Sequence, residues 1–535
     1  MRFIIGPVLA LGLSAALAPA RAAEITVALS AAPTSSDPHF HDLGPNNALM
    51  HQLYGTLVRT DATLHPVPDL ALSWKLLDDH TWSFSLDPDA KFSDGTPFTA
   101  NDVVFSLCRT IRGVGPTHSF TSVPLAMATV ETPDAHTVIL HTRQPEPLMP
   151  IQLAGFAIIS AHAAGAGHID FNPDNQCGLV NLPPSSAFDT LKLSVGTGRY
   201  RLARYTSGDT IVMEPNQYHH GAPARWSRVT FKAVPNSGAR VAGLLSGDFD
   251  LIENPSAQDL PALKAHGGLA WTVTPSNRLI FLQPDIGRDK TPLVQTADGR
   301  NPLQDPRVRQ ALSLAIDRQA ITTRLMEGLA TPADQFVPPP LFGFLPNPPK
   351  LGYDPARARA LLAEAGYPNG FALTLSATNN RYIDDSQVAQ AIGQYLTRIG
   401  IKTTVDAMTQ TVFFPRRTKR EFSLSMGGWG YGTGEASNLL RYFVVGPLPA
   451  RGLGRSNYGG YHSAAFDAVF TKAIDEMNDE RRRDELYQAQ TIALHDNALI
   501  PLYWETSLWA YKDRYSFTGR MDQRTDVDGL KPKAN

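Results

Sequence analysis

The chain has 535 residues, 43% of them hydrophobic and 18% charged, with a formal net charge of −2 at pH 7. That composition suits an ordinary globular protein with ample core, and the length suits two to four domains of roughly 100–200 residues each. A near-neutral balance argues against a nucleic-acid partner, which calls for a strongly basic face, and it offers no polybasic patch for a membrane surface.

The first residues read as an address. Arg2 supplies a positive start, Ile4 to Ala18 form a short apolar run, and Ala20 and Ala22 stand in Ala-x-Ala spacing. This is the pattern of a cleaved secretory signal over residues 1–22, with the mature start at Ala23 or Glu24. No cysteine stands near that site to take a lipid. No later stretch approaches the roughly 18 consecutive apolar residues of a membrane span. The expected product is soluble and exported.

His39 and His41 flank Phe40 on an extended segment, so strand alternation puts both imidazoles on one face. A transition metal or haem can use such a pair. No cysteine, Glu-x-x-His or His-Glu-x-x-His pattern joins it, so the plainer reading is a cleft-lining or solvent-facing segment. Trp82, Phe84 and Leu86 then alternate with Ser83, Ser85 and Asp87, the period of a half-buried strand. Asp94-Gly95 marks a turn, and Thr99 with Asp102 makes a capping box for a helix carrying Val103, Val104 and Leu107. The two cysteines, Cys108 and Cys177, lie outside any Cys-x-x-Cys motif. They are either one disulfide or two buried thiols, since spacing alone does not bring their Cα atoms together. His219-His220 reads as a surface loop.

In the second half, Asp305-Pro306 and Asp354-Pro355 each pair an N-cap with proline at the first helical position. Asp317 restarts a helix that Gly328 ends, Pro339 to Pro349 is a proline-rich loop, Phe371 to Ser376 alternates as a strand, and Val388 to Ile399 reads as a helix. Asp384-Asp385 looks like its solvated start. Strands alternating with helices predict a mixed α/β architecture. No Gly-x-Ser-x-Gly elbow, metalloprotease helix or phosphate-binding loop is present. A secreted hydrolase is therefore the weaker alternative, and neither a cofactor nor a metal is expected.

The most specific block is Thr81 to Leu107, TWSFSLDPDAKFSDGTPFTANDVVFSL. With PDLALSW (68–74), VGTGRYRL (195–202), LLSGDFDL (244–251), DPRVRQALSLAIDRQAI (305–321), YDPARARALLAEAG (353–366), YHSAAFD (461–467) and ALIPLY (498–503), it resembles the family 5 extracellular solute-binding proteins of ABC importers, the peptide, opine and nickel group. The blocks follow family order over nearly the whole mature chain. The resemblance implies a two-lobed binding-protein fold with a hinge and an accessory subdomain. Lobe I would combine 23–55, 190–278 and 495–535, the accessory subdomain 56–189, and lobe II 279–494, with crossings near Asn277 to Phe281 and 490–500.

By the same resemblance, a monomer captures a peptide-like solute between its lobes and delivers it to the permease subunits of an importer. A non-peptide solute such as an opine, glycoside or metal chelate is the alternative. Several peptide-binding relatives place an acid three residues after a tryptophan, where it pairs with the peptide's α-amine. Here MGGWGYGTGEASN (426–438) puts Gly432 at that position after Trp429. Glu435 matches a second acid of the motif and becomes the candidate for a cationic group. Trp429 is a candidate cleft wall. The glycines around it permit unusual backbone angles and close approach by a ligand. Arg381 is a candidate for a bidentate grip on a ligand carboxylate, and Arg278 stands at a predicted crossing. His39 and Phe40 complete the candidates.

Overall fold

The computed structural model describes residues 23–115, 118–179, 182–430 and 432–533; the signal sequence expected over 1–22 lies outside the described residues. β1 (Glu24–Leu29) joins a large sheet. The chain then builds a four-stranded antiparallel sheet from β2 (Ala71–Asp78), β3 (Thr81–Leu86), β4 (Met127–Asp134) and β5 (Thr137–Thr142), in the order β2-β3-β5-β4. Helix α1 (Ala100–Ile111) packs beside it, opened by the expected capping box between Thr99 and Asp102. The Asp102 carboxylate does two jobs, holding the Thr99 amide at 2.8 Å and the Ala161 amide at 2.8 Å. Phe84, Phe92, Phe98, Leu107, Leu140 and Phe156 form the core of this unit. Cys108 and Cys177 form a disulfide with Cα atoms 5.8 Å apart, which decides between the two readings that the sequence left open.

The large sheet takes β6 (Tyr200–Tyr205), β7 (Thr210–Pro215), β8 (Arg228–Ala233), β9 (Leu251–Glu253), β10 (Leu269–Pro284), β11 (Ala372–Thr378), β12 (Lys402–Met408), β13 (Leu424–Gly430) and β14 (Ile500–Lys512). Its order is β11-β13-β10-β14-β9-β1-β8-β7-β6, with β12 beside β11. β10 and β14 are the long members, at 16 and 13 residues, and they pair antiparallel with a register break between Pro275 and Leu279. On one side of that break lies a core with Val27, Trp226, Phe231 and Trp509. On the other lies a core with Ile280, Leu312, Leu375, Ile392 and Tyr503. Two strands thus run from one lobe into the other.

The helices of the second lobe follow their caps. The Asp305 side chain accepts the Arg307 amide at the start of α2 (Pro306–Ala315). Asp354 does the same for Arg357 at the start of α3 (Pro355–Glu364), and Gly366 closes that helix at φ +92°. Two expectations need correction. Asp317 caps the restarted helix through the Ala320 amide and Gly328 follows it at φ +81°, but only three residues are α-helical before Ile321–Leu325 widens into a π-helix. The hydroxyls of Thr322 and Thr323 both donate to the Gln319 carbonyl, a local bond that competes with the helical ladder. Helix α4 (Asp385–Arg398) starts before Val388, and its start is not solvated. Asp385 is buried, with its carboxylate accepting from the Thr378 hydroxyl and from the amides of Arg381 and Tyr382. Among the described residues no helix is long and apolar enough to cross a membrane.

Candidate functional site

Strands β11, β12 and β13 run parallel, so their carboxyl ends open toward the same side. In α/β sheets that crevice is where ligands bind. β11 pairs with β13 only at Leu375–Leu424 and Ser376–Ser425 and then departs. The Tyr382 hydroxyl takes its place, accepting from the Gly428 amide at 2.9 Å and donating to the Gly428 carbonyl at 3.2 Å. Arg381 and Tyr382 come from the loop after β11. Arg417 comes from α5 (Gln410–Thr418), which follows β12. The segment from Trp429 onward closes β13. Across the register break stand Arg278 on β10, Glu505 on β14 and Gln523 in the C-terminal tail.

The glycines of β13 answer to close approach, not to backbone angle. A Cβ at Gly428 would lie 2.6 Å from both Ile280 and Tyr382, and one at Gly427 would lie 3.4 Å from the Arg417 guanidinium. Among the described residues of 427–434, only Gly434 has a positive φ, +61°.

The charges are arranged unevenly. Arg278 donates to Gln523 at 2.5 Å and lies 3.4 Å from a Glu505 oxygen. Glu505 also accepts from the Ile383 amide and from Gln523, each at 3.2 Å, so one buried carboxylate ties the hinge strand to the loop after β11. Burial pushes the Glu505 carboxyl up against the opposing pull of Arg278. Burial, and then Arg381 nearby, lowers Arg278. Arg381 stacks over Tyr382 at 5.5 Å, and its guanidinium has no ion pair or hydrogen bond among the described residues. The Nε of Arg417 is buried without an acceptor, and its guanidinium lies against Phe413, Phe414 and Tyr458. Burial holds Arg417 below the usual arginine range.

The remaining sequence candidates fall in different places. Trp429 is half-buried, donating to Asn438 at 2.6 Å and packing edge-on against Tyr442 and Phe443 of α6 (Ser437–Phe443). Gly432 is exposed, with nothing within 4 Å of where a Cβ would stand. Glu435 is 3% exposed and already engaged, by the Ser437 hydroxyl at 2.6 Å and by Arg482 at 3.3 Å. Arg482 reaches it from α7 (Asp479–His495). Glu435 is thus an interior ion-pair member whose carboxylate is occupied by protein groups. Phe40 is half-buried and packs on His41, its backbone carbonyl within 2.0 Å of where a Cβ on Gly115 would lie.

His39 is fully buried, which removes it from any cleft wall. Its ring stacks on Phe156 at 5.0 Å, Nε2 donates to the Ala157 carbonyl at 2.9 Å, and Nδ1 accepts from Arg109 at 3.0 Å. Arg109 cannot accept, so the imidazole is held neutral with its proton on Nε2. Burial first, and then Arg109, lower its pKa from 6.5 to about 4. The folded value lies below the unfolded one, so this stabilisation is complete above pH 6.5 and is lost as pH falls through 4. A shift of that size amounts to about 3 kcal/mol. Urea midpoints at pH 7 and pH 4.5 should show the loss, and His39→Gln, which keeps a donor for Ala157, should shrink it.

Tyr382, Arg417, Glu505 and Gln523 were not singled out by sequence. Tyr382 and Glu505 find partners far along the chain, 46 residues apart for Tyr382 and Gly428 and 122 for Ile383 and Glu505, and no local pattern announces such a pairing.

Residues 65–447 match the family described as bacterial extracellular solute-binding proteins, family 5. A glutathione-binding protein of Salmonella typhimurium is 28% identical over 517 residues, covering 94% of this chain and 93% of its own. Heme-binding protein A of Haemophilus influenzae is 26% identical over 480 residues, covering 85% and 82%. The fold superposes on an ABC transporter-associated periplasmic binding protein from Helicobacter pylori in complex with the peptide STSA. The TM-score is 0.77 at 21% identity, with 96% of this chain and 98% of that one covered.

Proposed function

The chain belongs to the bacterial extracellular solute-binding proteins of family 5, the substrate-binding components of ABC importers, and from that premise we propose that it captures a peptide or peptide-like solute between its lobes and hands it to the importer's permease. The observation that carries the ligand reading is Arg381, in the loop beyond the carboxyl end of β11, whose guanidinium stacks on Tyr382 and has no hydrogen bond or ion pair among the described residues. A planar guanidinium fits a ligand carboxylate through two parallel hydrogen bonds. Closure of the lobes around the solute requires tighter contact in the closed state than in the open one. Glu505, bonded to Arg278, Gln523 and Ile383, is placed to hold that closed arrangement. We assign the chain no catalytic step, and the export signal over 1–22 would deliver it outside the cytoplasm.

Gly432 favours the second reading, a non-peptide solute, because the acid expected for a peptide's α-amine is missing there. Native mass spectrometry of protein recovered from the periplasm, followed by denaturation, separates the two. A short-peptide mass released at one per chain is the expected result. A single solute without peptide bonds would overturn the peptide reading.

A further inference from the structure

Resting on that reading, we infer that the solute is recognised as an anion at two positions and needs no ammonium group. Two guanidinium groups flank the glycine strand β13 where it loses β11 as a neighbour. Arg381 lies on the side of Tyr382 and Gly428, and Arg417 on the side of Gly427. Among the described residues neither has an anion or carbonyl to bond, and the Arg417 Nε is buried. Both side chains are half-buried; a cation partly withdrawn from water without an acceptor is costly, and an incoming carboxylate supplies the missing partner. Arg278 adds a third positive charge beside Arg381, only partly answered by Glu505.

The acids nearby are committed elsewhere. Glu505 is bonded to Arg278, Gln523 and Ile383; Glu435 to Arg482 and Ser437; Asp385 to Thr378, Arg381 and Tyr382. Asp384 keeps one oxygen unpartnered, but its charged neighbours are Asp385, Asp259 and Glu327, and none of the three arginines. Gly432 offers no carboxylate, and nothing lies within 4 Å of where its Cβ would stand. The solute class this selects is a peptide-like molecule with at least two carboxylates and a blocked or absent amino terminus.

Calorimetry on the mature chain with three matched probes tests this: succinyl-dialanine, with two carboxylates and no amine; trialanine, with one of each; and acetyl-trialanine amide, which is neutral. Succinyl-dialanine should bind at least tenfold tighter than trialanine, with no binding of the amide. Arg381→Met and Arg417→Met should each weaken succinyl-dialanine at least tenfold, and Arg381→Lys should lose less than Arg381→Met. If Arg417→Met fails to fold by circular dichroism, the order of the probes and the loop variants of Arg381 decide alone. Trialanine as the tightest probe, or an amide as tight as the dianion, would overturn the two-anion inference while leaving peptide capture in place. Failure of all three probes would remove the peptide-like reading and this inference with it.

Discussion

Arg109→Met should destabilise the chain by about 3–5 kcal/mol, because it strands a buried carboxylate. Arg109 is 1% exposed and holds Asp37 through two bonds, at 2.9 and 2.7 Å, while its guanidinium lies 4.8 Å above the Phe188 ring. Burial works against the Asp37 charge, and Arg109, together with His39 and the Ser185 hydroxyl, offsets it and leaves the carboxyl below its usual range. Without the arginine, Asp37 keeps the Ser185 hydroxyl at 2.6 Å and the His39 amide at 3.0 Å. Those neutral donors do not replace a bidentate cation. Arg109→Lys should recover only part of the loss, since an ammonium cannot span both oxygens and reach His39 as well. His39 offers a second readout. With the positive charge gone its pKa should rise toward 6.5, so the acid loss of stability should shrink and be complete at a higher pH. Urea unfolding at pH 7 measures the first effect, and its pH dependence the second. A methionine variant as stable as the parent would mean that Asp37 takes up a proton or finds water.

Local signals carried much of the fold. A capping box and two Asp-Pro helix starts rest on interactions within four residues, a period-2 strand shows in local alternation though its partners are distant, and each forms where the sequence puts it. The family blocks carried the two-lobed architecture. What stayed illegible was the site, because its partners are set by tertiary closure. Glu435 looks like a free acid in a glycine-rich loop until Arg482 arrives from α7. His39 looks like half of a metal pair until Arg109 and Ala157 enclose it. Asp385 looks like a solvated helix start until it folds inward onto three donors. Arg381 differs in that its place in a loop before a helix is a local fact, and the role proposed for it rests on a guanidinium that bonds no described residue.

Reducing the Cys108–Cys177 bridge should cost up to about 4 kcal/mol, the chain-entropy value for a loop closed over 69 residues. Cys108 is buried on α1, one residue from Arg109, while Cys177 sits in a short turn whose Sγ accepts the Asn172 amide at 3.4 Å. The bridge therefore pins a loop with little regular structure onto the helix that carries the buried ion pair. Such a bond persists in an oxidising compartment, in keeping with a family of extracellular proteins. Thermal melts should show the parent dropping with reductant, and Cys177→Ser already low and indifferent to it. Replacing both cysteines should add little beyond the single change, since either one opens the same loop. Arg278, Arg381 and Arg417 belong to the other lobe and its hinge, so solute affinity should survive reduction at temperatures where the chain stays folded. A fall in affinity under those conditions would show that the bridged loop reaches the crevice, and would place part of the recognition surface on the four-stranded unit.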